Sequence, residues 1–81
     1  MRRNKIDLSD AFALVVKKHR EAKGMSRALL AEKSGLHQTY IGLLERGQRS
    51  PNIDTANAIA GGLGFPVSKL FLEAESIARR K

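Results

Sequence analysis

Apolar residues recur at intervals of three and four along most of the chain, which is the spacing of amphipathic helices. Aromatic and β-branched residues are sparse, and no stretch alternates apolar and polar positions for long enough to predict a strand. Capping residues, glycines and a proline divide the pattern into five predicted helices. Their predicted limits are the N-cap Ser9 to Gly24, the N-cap Ser26 to Gly35, about Gln38 to Arg46, near Asp54 to Gly64, and Pro66 to Arg79. The sequence therefore predicts an all-α fold.

The last predicted helix carries an apolar stripe that is longer than a small domain needs. Its members follow one another at helical spacing: Val67, Leu70, Phe71, Ala74, Ile77 and Ala78. The first three can close the core, whereas the outer half needs another surface to cover it. We predict that residues 73–81 form a helical extension that pairs with a two-fold mate in a homodimer. The predicted contact residues are Phe71, Ala74, Ile77 and Ala78. The alternative is a frayed basic tail ending in Arg79-Arg80-Lys81.

Small and apolar residues between the second and third predicted helices have the spacing of a helix-turn-helix. Ala31 supplies the small side chain needed where one helix crosses closely over the other, and Gly35 tolerates positive φ in the turn. Ile41, six residues after the glycine, fills the space between the helices, with Leu44 one turn further on. Leu36 is placed to anchor the turn in the core. Together these positions predict a helix-turn-helix.

Charge is unevenly distributed along the chain. The formal net charge is +7; residues 1–50 hold 11 Lys and Arg against 5 Asp and Glu, whereas residues 51–81 hold 4 against 3. A basic first half beside a nearly neutral second half favours an anionic partner for the first. Residues 1–8 form a predicted basic arm, and its Arg2-Arg3-Asn4-Lys5 segment either enters a minor groove or has no fixed structure.

Composition argues against several classes of protein. The chain has no cysteine for disulfides or zinc thiolates, and His19 and His37 alone form no metal cluster. Without a phosphate-binding glycine loop or a nucleophile–base signature, we predict no enzyme activity, no cofactor and no metal. Asp7 and Asp10 interrupt the apolar stretch that a secretory signal needs, and no run could span a membrane. We predict a soluble cytoplasmic protein associated with the nucleoid.

Three stretches resemble the lambda-repressor-like helix-turn-helix domains of phage repressors, Cro proteins and bacterial Xre-type regulators. They are HREAKGMSRALLAEKSGL, HQTYIGLLERGQRSPN and AIAGGLGFPVSKLF, and together they cover about Phe12 to Phe71. The segment LLERGQRSP is the most family-specific part. The resemblance implies a five-helix domain over residues 9–72 whose third helix lies in the major groove of DNA, usually as a two-fold dimer on an inverted repeat.

The resemblance also implies which side chains of the third helix reach base edges. They are Gln38, Thr39, Tyr40 and Leu43. Glutamine can pair bidentately with adenine, and a threonine methyl can pack on a thymine methyl. Tyr40 either reads a base or covers the edge of the core while its hydroxyl meets a phosphate. Leu43 either touches a thymine methyl or fills space beside the following loop.

Phosphate contacts are predicted at the edges of the motif. The candidates are Ser26, Arg27, His37, Arg46, Arg49 and Asn52. Arg27 stands where the family commonly has glutamine, and His37 occupies an N-cap that is usually serine or threonine. The resemblance further implies an ion pair between Arg20 of the first helix and Glu45 of the third, which makes Glu45 a structural residue.

Several residues are unfavourable for helix formation or differ from the residue type that the family usually has. Gly42 weakens the reading helix without an evident gain, unless the backbone approaches the groove closely there. His19 falls where the family usually buries an aliphatic residue, and we predict a core histidine with hydrogen-bond partners. Gly61, Gly62 and Gly64 end the fourth helix, at about 1 kcal/mol for each interior glycine.

We predict from these features a sequence-specific regulator of transcription, a repressor or autoregulator, that binds double-stranded DNA. Two narrower alternatives are a controller protein of a restriction–modification system and an antitoxin that also binds a toxin. A third is a protein-interaction module that has kept the fold and lost the DNA. Gly42 and the absent glutamine of the second helix favour that module, and the basic first half opposes it.

Overall fold

The computed structural model describes residues 7–79, which fold into five helices and contain no strand. The helices are α1 (Leu8–Ala22), α2 (Arg27–Ser34), α3 (Gln38–Glu45), α4 (Ile53–Leu63) and α5 (Val67–Arg79). The predicted all-α, five-helix architecture is confirmed. The predicted basic arm, residues 2–5, and the last two residues of the tail lie outside the described part of the chain. Within residues 7–79, no helix is both long enough and apolar enough to cross a membrane.

Local backbone conformation marks both ends of α2 and the start of α1, and a side-chain cap is formed at the start of α2. The Oγ of Ser26 accepts a hydrogen bond from the backbone N–H of Leu29 at 3.0 Å, as expected of the predicted N-cap. Gly35 ends α2 in the left-handed conformation, with φ of 71°. The prediction that Ser9 caps α1 is wrong. The extended N-cap conformation belongs to Asp7, so Ser9 lies inside the first turn.

The core is built around α1, which packs along α5, while α2 packs on α4 and α3 closes the remaining side. All five helices contribute large, fully buried side chains: Phe12, Val15, Val16, Leu30, Ile41, Leu44, Ile59, Leu63 and Leu70. Ala31 is buried in α2, and Leu36 packs against the core after the turn. The small residue and the anchor predicted for the helix-turn-helix therefore lie where the motif requires them.

The second half of α5 is covered by the chain itself. Ala74 is 0% exposed, so its prediction as a dimer contact is wrong. Ile77 and Ala78 are half-buried and also pack against the core. His19 Nε2 of α1 hydrogen-bonds Glu73 Oε1 of α5 at 2.8 Å, which holds the two helices together. The stripe of α5 is long because α1, with 15 residues, is long enough to cover it.

That hydrogen bond belongs to a small polar cluster between α1 and α5. Lys69 donates from Nζ to the other carboxylate oxygen of Glu73 at 2.8 Å. Hydrogen bonds from Lys69 and His19 lower the pKa of Glu73. The ring of His19 lies 4.7 Å from that of Phe65, centroid to centroid. His19 is therefore a half-buried histidine with partners, as predicted.

Gly62 of α4 has a role in helix packing. From sequence, this glycine is expected only to weaken the helix. A β-carbon at this position would enter the space of Ser34 Oγ and would lie 3.1 Å from Leu30 Cδ1, both on α2. The neighbouring Gly61 has nothing within 4 Å of the same position. Gly62 therefore lets α2 and α4 approach closely, whereas Gly61 makes no such contribution.

Alanine at these two glycines is expected to change stability in opposite directions. Gly62→Ala forces the α2–α4 contact apart and should lower the free energy of unfolding by about 1–3 kcal/mol. Gly61→Ala, exposed within the same helix, should raise it by up to about 1 kcal/mol through helix propensity alone. Urea denaturation followed by circular dichroism measures both. A gain for Gly62→Ala would contradict its packing role, and an equal loss for Gly61→Ala would show that the loss is not specific to the α2–α4 contact.

Candidate nucleic-acid interface

The third helix has a buried face and an exposed face. Ile41 and Leu44 are 0% exposed and fix α3 to the core. Gln38 and Thr39, in its first turn, are exposed. A helix with its side chains is about 10–12 Å across, close to the width of the DNA major groove. Gln38 and Thr39, two of the four predicted base-reading residues, therefore lie on the accessible side of this helix.

The other two predicted base-reading residues are half-buried. Tyr40 packs against the core, and the guanidinium carbon of Arg49 lies 5.7 Å from the centroid of its ring. A cation over an aromatic face is attracted to it, so Tyr40 holds the guanidinium of Arg49, a residue of the following loop, against the first turn of α3. Leu43 is half-buried beside that loop. Base contact by either residue stays a prediction.

Glu45, at the end of α3, is the centre of a nearly buried ion cluster. Its side chain is 1% exposed. Arg20 donates to it from Nε at 2.7 Å and from Nη2 at 3.1 Å, and donates from Nη1 to the backbone oxygen of Met25 at 2.7 Å. Hydrogen bonding to Glu45, opposed by burial, raises the pKa of Arg20 above its ordinary value. The structure thus contains the ion pair between α1 and α3 that the family resemblance implies.

Arg27 is a third member of this cluster, which the sequence did not predict. Its Nε donates to Glu45 Oε1 at 3.0 Å. The side chain is still 42% exposed, so its terminal nitrogens can reach outward. Arg27 therefore ties the start of α2 to the end of α3 and remains a candidate for a phosphate contact.

Three other residues predicted to contact phosphates, Ser26, His37 and Asn52, are the N-cap residues of α2, α3 and α4. Asn52 caps α4, where its Oδ1 accepts a hydrogen bond from the backbone N–H of Thr55 at 2.8 Å. The capping bonds of Asn52 and Ser26 occupy acceptor atoms, which leaves the amide and hydroxyl hydrogens free to donate to an anion. His37 is exposed at the N-cap position of α3, and its side chain makes no capping hydrogen bond. All three remain accessible.

The side chain of Arg46 folds back along α3, although the residue directly follows the end of this helix. Its guanidinium lies over Gly42: a β-carbon there would be 3.2 Å from Nη1 and 3.7 Å from Nη2. Gly42, which the sequence suggested was a weakness, leaves the space that this guanidinium occupies. Arg46 and Gly42 line one shallow depression with Arg27, Gln38 and Thr39. Arg46 is therefore on the reading face.

Positive charge dominates the surface around α3. The arginines at positions 27, 46 and 49 are exposed, whereas the carboxylate of Glu45 is buried and already paired. Within residues 7–79, no group of three histidines and carboxylates is placed to hold a metal ion. The surface suits a polyanion.

Known proteins share both this sequence pattern and this arrangement of helices. Residues 16–70 match the model of the Cro/C1-type helix-turn-helix family. The chain belongs to this family. Control protein C.SmaI of Serratia marcescens is 38% identical over 65 residues, which cover 80% of this chain and 77% of that protein. The immunity repressor protein of Bacillus phage phi105 is 34% identical over 55 residues, 68% of this chain but only 38% of the repressor.

Solved structures of helix-turn-helix proteins have the same fold. The wild-type restriction–modification controller protein C.Esp1396I superimposes with a TM-score of 0.84 at 31% identity, covering 95% of this chain and 99% of the controller. The controller protein C.AhdI of Aeromonas hydrophila gives 0.73 at 36% identity, over 79% and 96%. Another similar structure is a nucleoprotein complex of C.Esp1396I. These relatives support the prediction of a DNA-binding regulator.

Proposed function

We propose that this helix-turn-helix protein is a repressor or autoregulator of transcription that places α3 in the major groove of a specific duplex in the cytoplasm. The observation that carries the proposal is the exposed pair Gln38 and Thr39 on a helix whose other end is fixed by the buried Glu45 cluster. A reading helix must be held rigidly because specificity depends on hydrogen-bond geometry at base edges.

Phosphate contacts would then come from both sides of the reading face. Arg27 and Ser26 stand at the start of α2, His37 at the start of α3, and Arg49 and Asn52 in the loop that follows. Contacts of this kind fix the register of the protein on the duplex and carry no sequence information directly.

The coverage of the relatives favours a controller of a restriction–modification system over a longer repressor of the phage type. The alignments cover 77% of control protein C.SmaI and 99% of C.Esp1396I, whereas they cover only 38% of the phage repressor. The match to controllers thus extends over most of those proteins, and the match to the repressor is confined to part of it. Control of restriction–modification genes by binding to their promoter is therefore the narrower function that we propose.

A homodimer on an inverted repeat completes the proposal, with a contact surface different from the one predicted. The surface is an apolar groove, which is lined by Leu8, Ser9, Phe12, Pro51, Asn52, Ile53, Ala56 and Phe71. Ile53 is 75% exposed and Leu8 49%, so two large apolar side chains at the groove are open to water. Phe71, one of the predicted contact residues, lies in it against Phe12, with ring centroids 5.4 Å apart. A second copy of the chain that covers this groove would remove the exposed apolar area from water.

Ile53→Glu is expected to convert the dimer to a monomer while leaving the fold intact. A carboxylate in the groove opposes burial, but the side chain is mostly exposed in the single chain and an acidic residue suits the first turn of α4. Light scattering at tens of micromolar protein measures the mass. Leu14→Glu, at a 48% exposed leucine outside the groove, is the control and should remain dimeric. A monomeric wild type, or a dimeric Ile53→Glu variant, would reject this interface.

Selection of bound duplexes from a randomised DNA pool tests the function. At about 150 mM salt, non-specific binding is weak, with a Kd of about 10⁻⁴–10⁻⁶ M, so enrichment reports specific recognition. We expect an inverted repeat whose half-sites lie about one helical turn, 34–36 Å, apart. If no sequence is enriched, the protein does not read DNA, and the protein-interaction alternative becomes the better explanation.

A further inference from the structure

We propose that Arg46 reads a guanine base in each half-site and that Gly42 is the residue that positions it to do so. The sequence predicts a phosphate contact for Arg46, because this residue flanks the loop that follows the third predicted helix. The inference rests on the proposed function, since it concerns how the same surface recognises DNA.

The side chain of Arg46 returns one full turn along the helix that it terminates. Side chains of a helix point toward its N-terminus, so a residue covers the surface of the turn before its own Cα. At Gly42, four residues earlier, no side chain occupies that surface. The guanidinium carbon lies 3.8 Å from the position of the absent β-carbon, and both terminal nitrogens are closer. The charge is therefore near the middle of α3, although the backbone of Arg46 is at its end.

The neighbours of this guanidinium favour a base over a phosphate. Gln38 and Thr39, on the exposed face of α3, line the same depression. This face would be turned to the floor of the major groove, whereas phosphates border the groove on either side. Among residues 7–79, no carboxylate forms an ion pair with Arg46, so its donors are available. The fork of an arginine matches the O6 and N7 acceptors of guanine, and this is the commonest specific contact to a base.

Arg49 provides the contrast within the same chain. Its backbone lies in the loop beyond α3, its guanidinium is held over the ring of the half-buried Tyr40, and it does not line the depression that contains Gln38 and Thr39. A charge in that place suits a phosphate at the border of the groove. The two arginines are three residues apart, yet the structure assigns them different roles.

The experiment repeats the pool selection with Arg46→Ala and with Arg49→Ala. For Arg46→Ala we expect the preference for one G·C pair in each half-site to fall by about 5- to 150-fold, with the rest of the motif retained. For Arg49→Ala we expect the wild-type motif, bound more weakly at every sequence. Circular dichroism confirms that each variant is folded. An unchanged motif with uniformly weaker binding by Arg46→Ala would overturn the inference and leave the proposed function standing; no motif from wild type would reject both.

Gly42→Ala tests the positioning role separately, because it leaves Arg46 in place. The added methyl lies 3.2 Å from Nη1, which is tight enough to shift the guanidinium. We expect a higher Tm, since alanine is the better helix former, together with a weaker preference at the same G·C pair. A higher Tm with the guanine preference undiminished would show that Gly42 does not position Arg46.

Discussion

Replacing Glu45 with glutamine is expected to lower the free energy of unfolding by about 3–5 kcal/mol. The carboxylate is nearly inaccessible and accepts hydrogen bonds from two guanidinium groups. An amide has the same shape, but it removes the negative charge and turns N–H donors toward the donors of Arg20. That arginine, whose side chain is 9% exposed, would be left as a nearly buried charge with only the backbone oxygen of Met25 and the exposed Glu21 as partners. Stability of about 4–12 kcal/mol is typical for 81 residues, so a large share of it would be lost.

Thermal and urea denaturation of Glu45→Gln measure this loss, and Glu21→Gln is its control. Glu21 also faces Arg20, with Oε2 at 3.7 Å from Nη2, but its side chain is 58% exposed. Exposed ion pairs contribute only about 0–1 kcal/mol, so the control should remain close to wild type. If both variants lose the same small amount, water or a rearranged side chain compensates Arg20, and the cluster does not anchor α3.

The predictions that succeeded depend on neighbours in the sequence. The five helices follow from apolar spacing and local caps, and the caps at Ser26 and Gly35 are formed by backbone within a few residues of each. Apart from the local error of the N-cap at Ser9, the features that were wrong or missed depend on which helices pack against each other. Arg27, at the start of α2, meets Glu45, at the end of α3, only once the crossing of these helices is fixed. The sequence could place both charges on their helices but not bring them together.

Ala74 and Gly62 both show that sequence periodicity and helix propensity do not specify which surfaces pack together. The periodic stripe of α5 correctly marks an apolar face, but periodicity does not say whether α1 or a second chain covers it, and α1 covers Ala74. The propensity cost of Gly62 is correct for an isolated helix, but it does not include the close approach of α2. In the candidate site, Gln38 and Thr39 are exposed as expected, whereas the path of Arg46 over Gly42 depends on a side-chain conformation that residue spacing does not specify.

The double variant Gln38→Ala, Thr39→Ala is expected to lose about 2–6 kcal/mol of specific binding free energy in each half-site, because each good base contact contributes about 1–3 kcal/mol. Both side chains are exposed in the first turn of α3, and alanine is a good helix former, so the fold should be unaffected. The matched control replaces exposed polar residues on α4 and α5, as Asn57→Ala, Ser68→Ala.

We would measure affinity for the selected duplex and for a scrambled duplex across a range of salt concentrations. This comparison distinguishes base recognition from electrostatic attraction to the phosphates. The double variant should lose much of its preference for the selected duplex over the scrambled one and keep the part that Arg46 supplies, while the slope of log K against log salt stays that of wild type. Each phosphate neutralised by Lys or Arg adds about −0.9 to that slope, whereas the uncharged Gln38 and Thr39 add nothing, so an unchanged slope shows that the basic contacts are intact. Equal losses of affinity on both duplexes would instead place Gln38 and Thr39 against the sugar–phosphate backbone, which carries no sequence information directly. In that case α3 would not lie in the groove with its first turn toward the bases, and the guanine contact of Arg46 would lose its geometric basis as well.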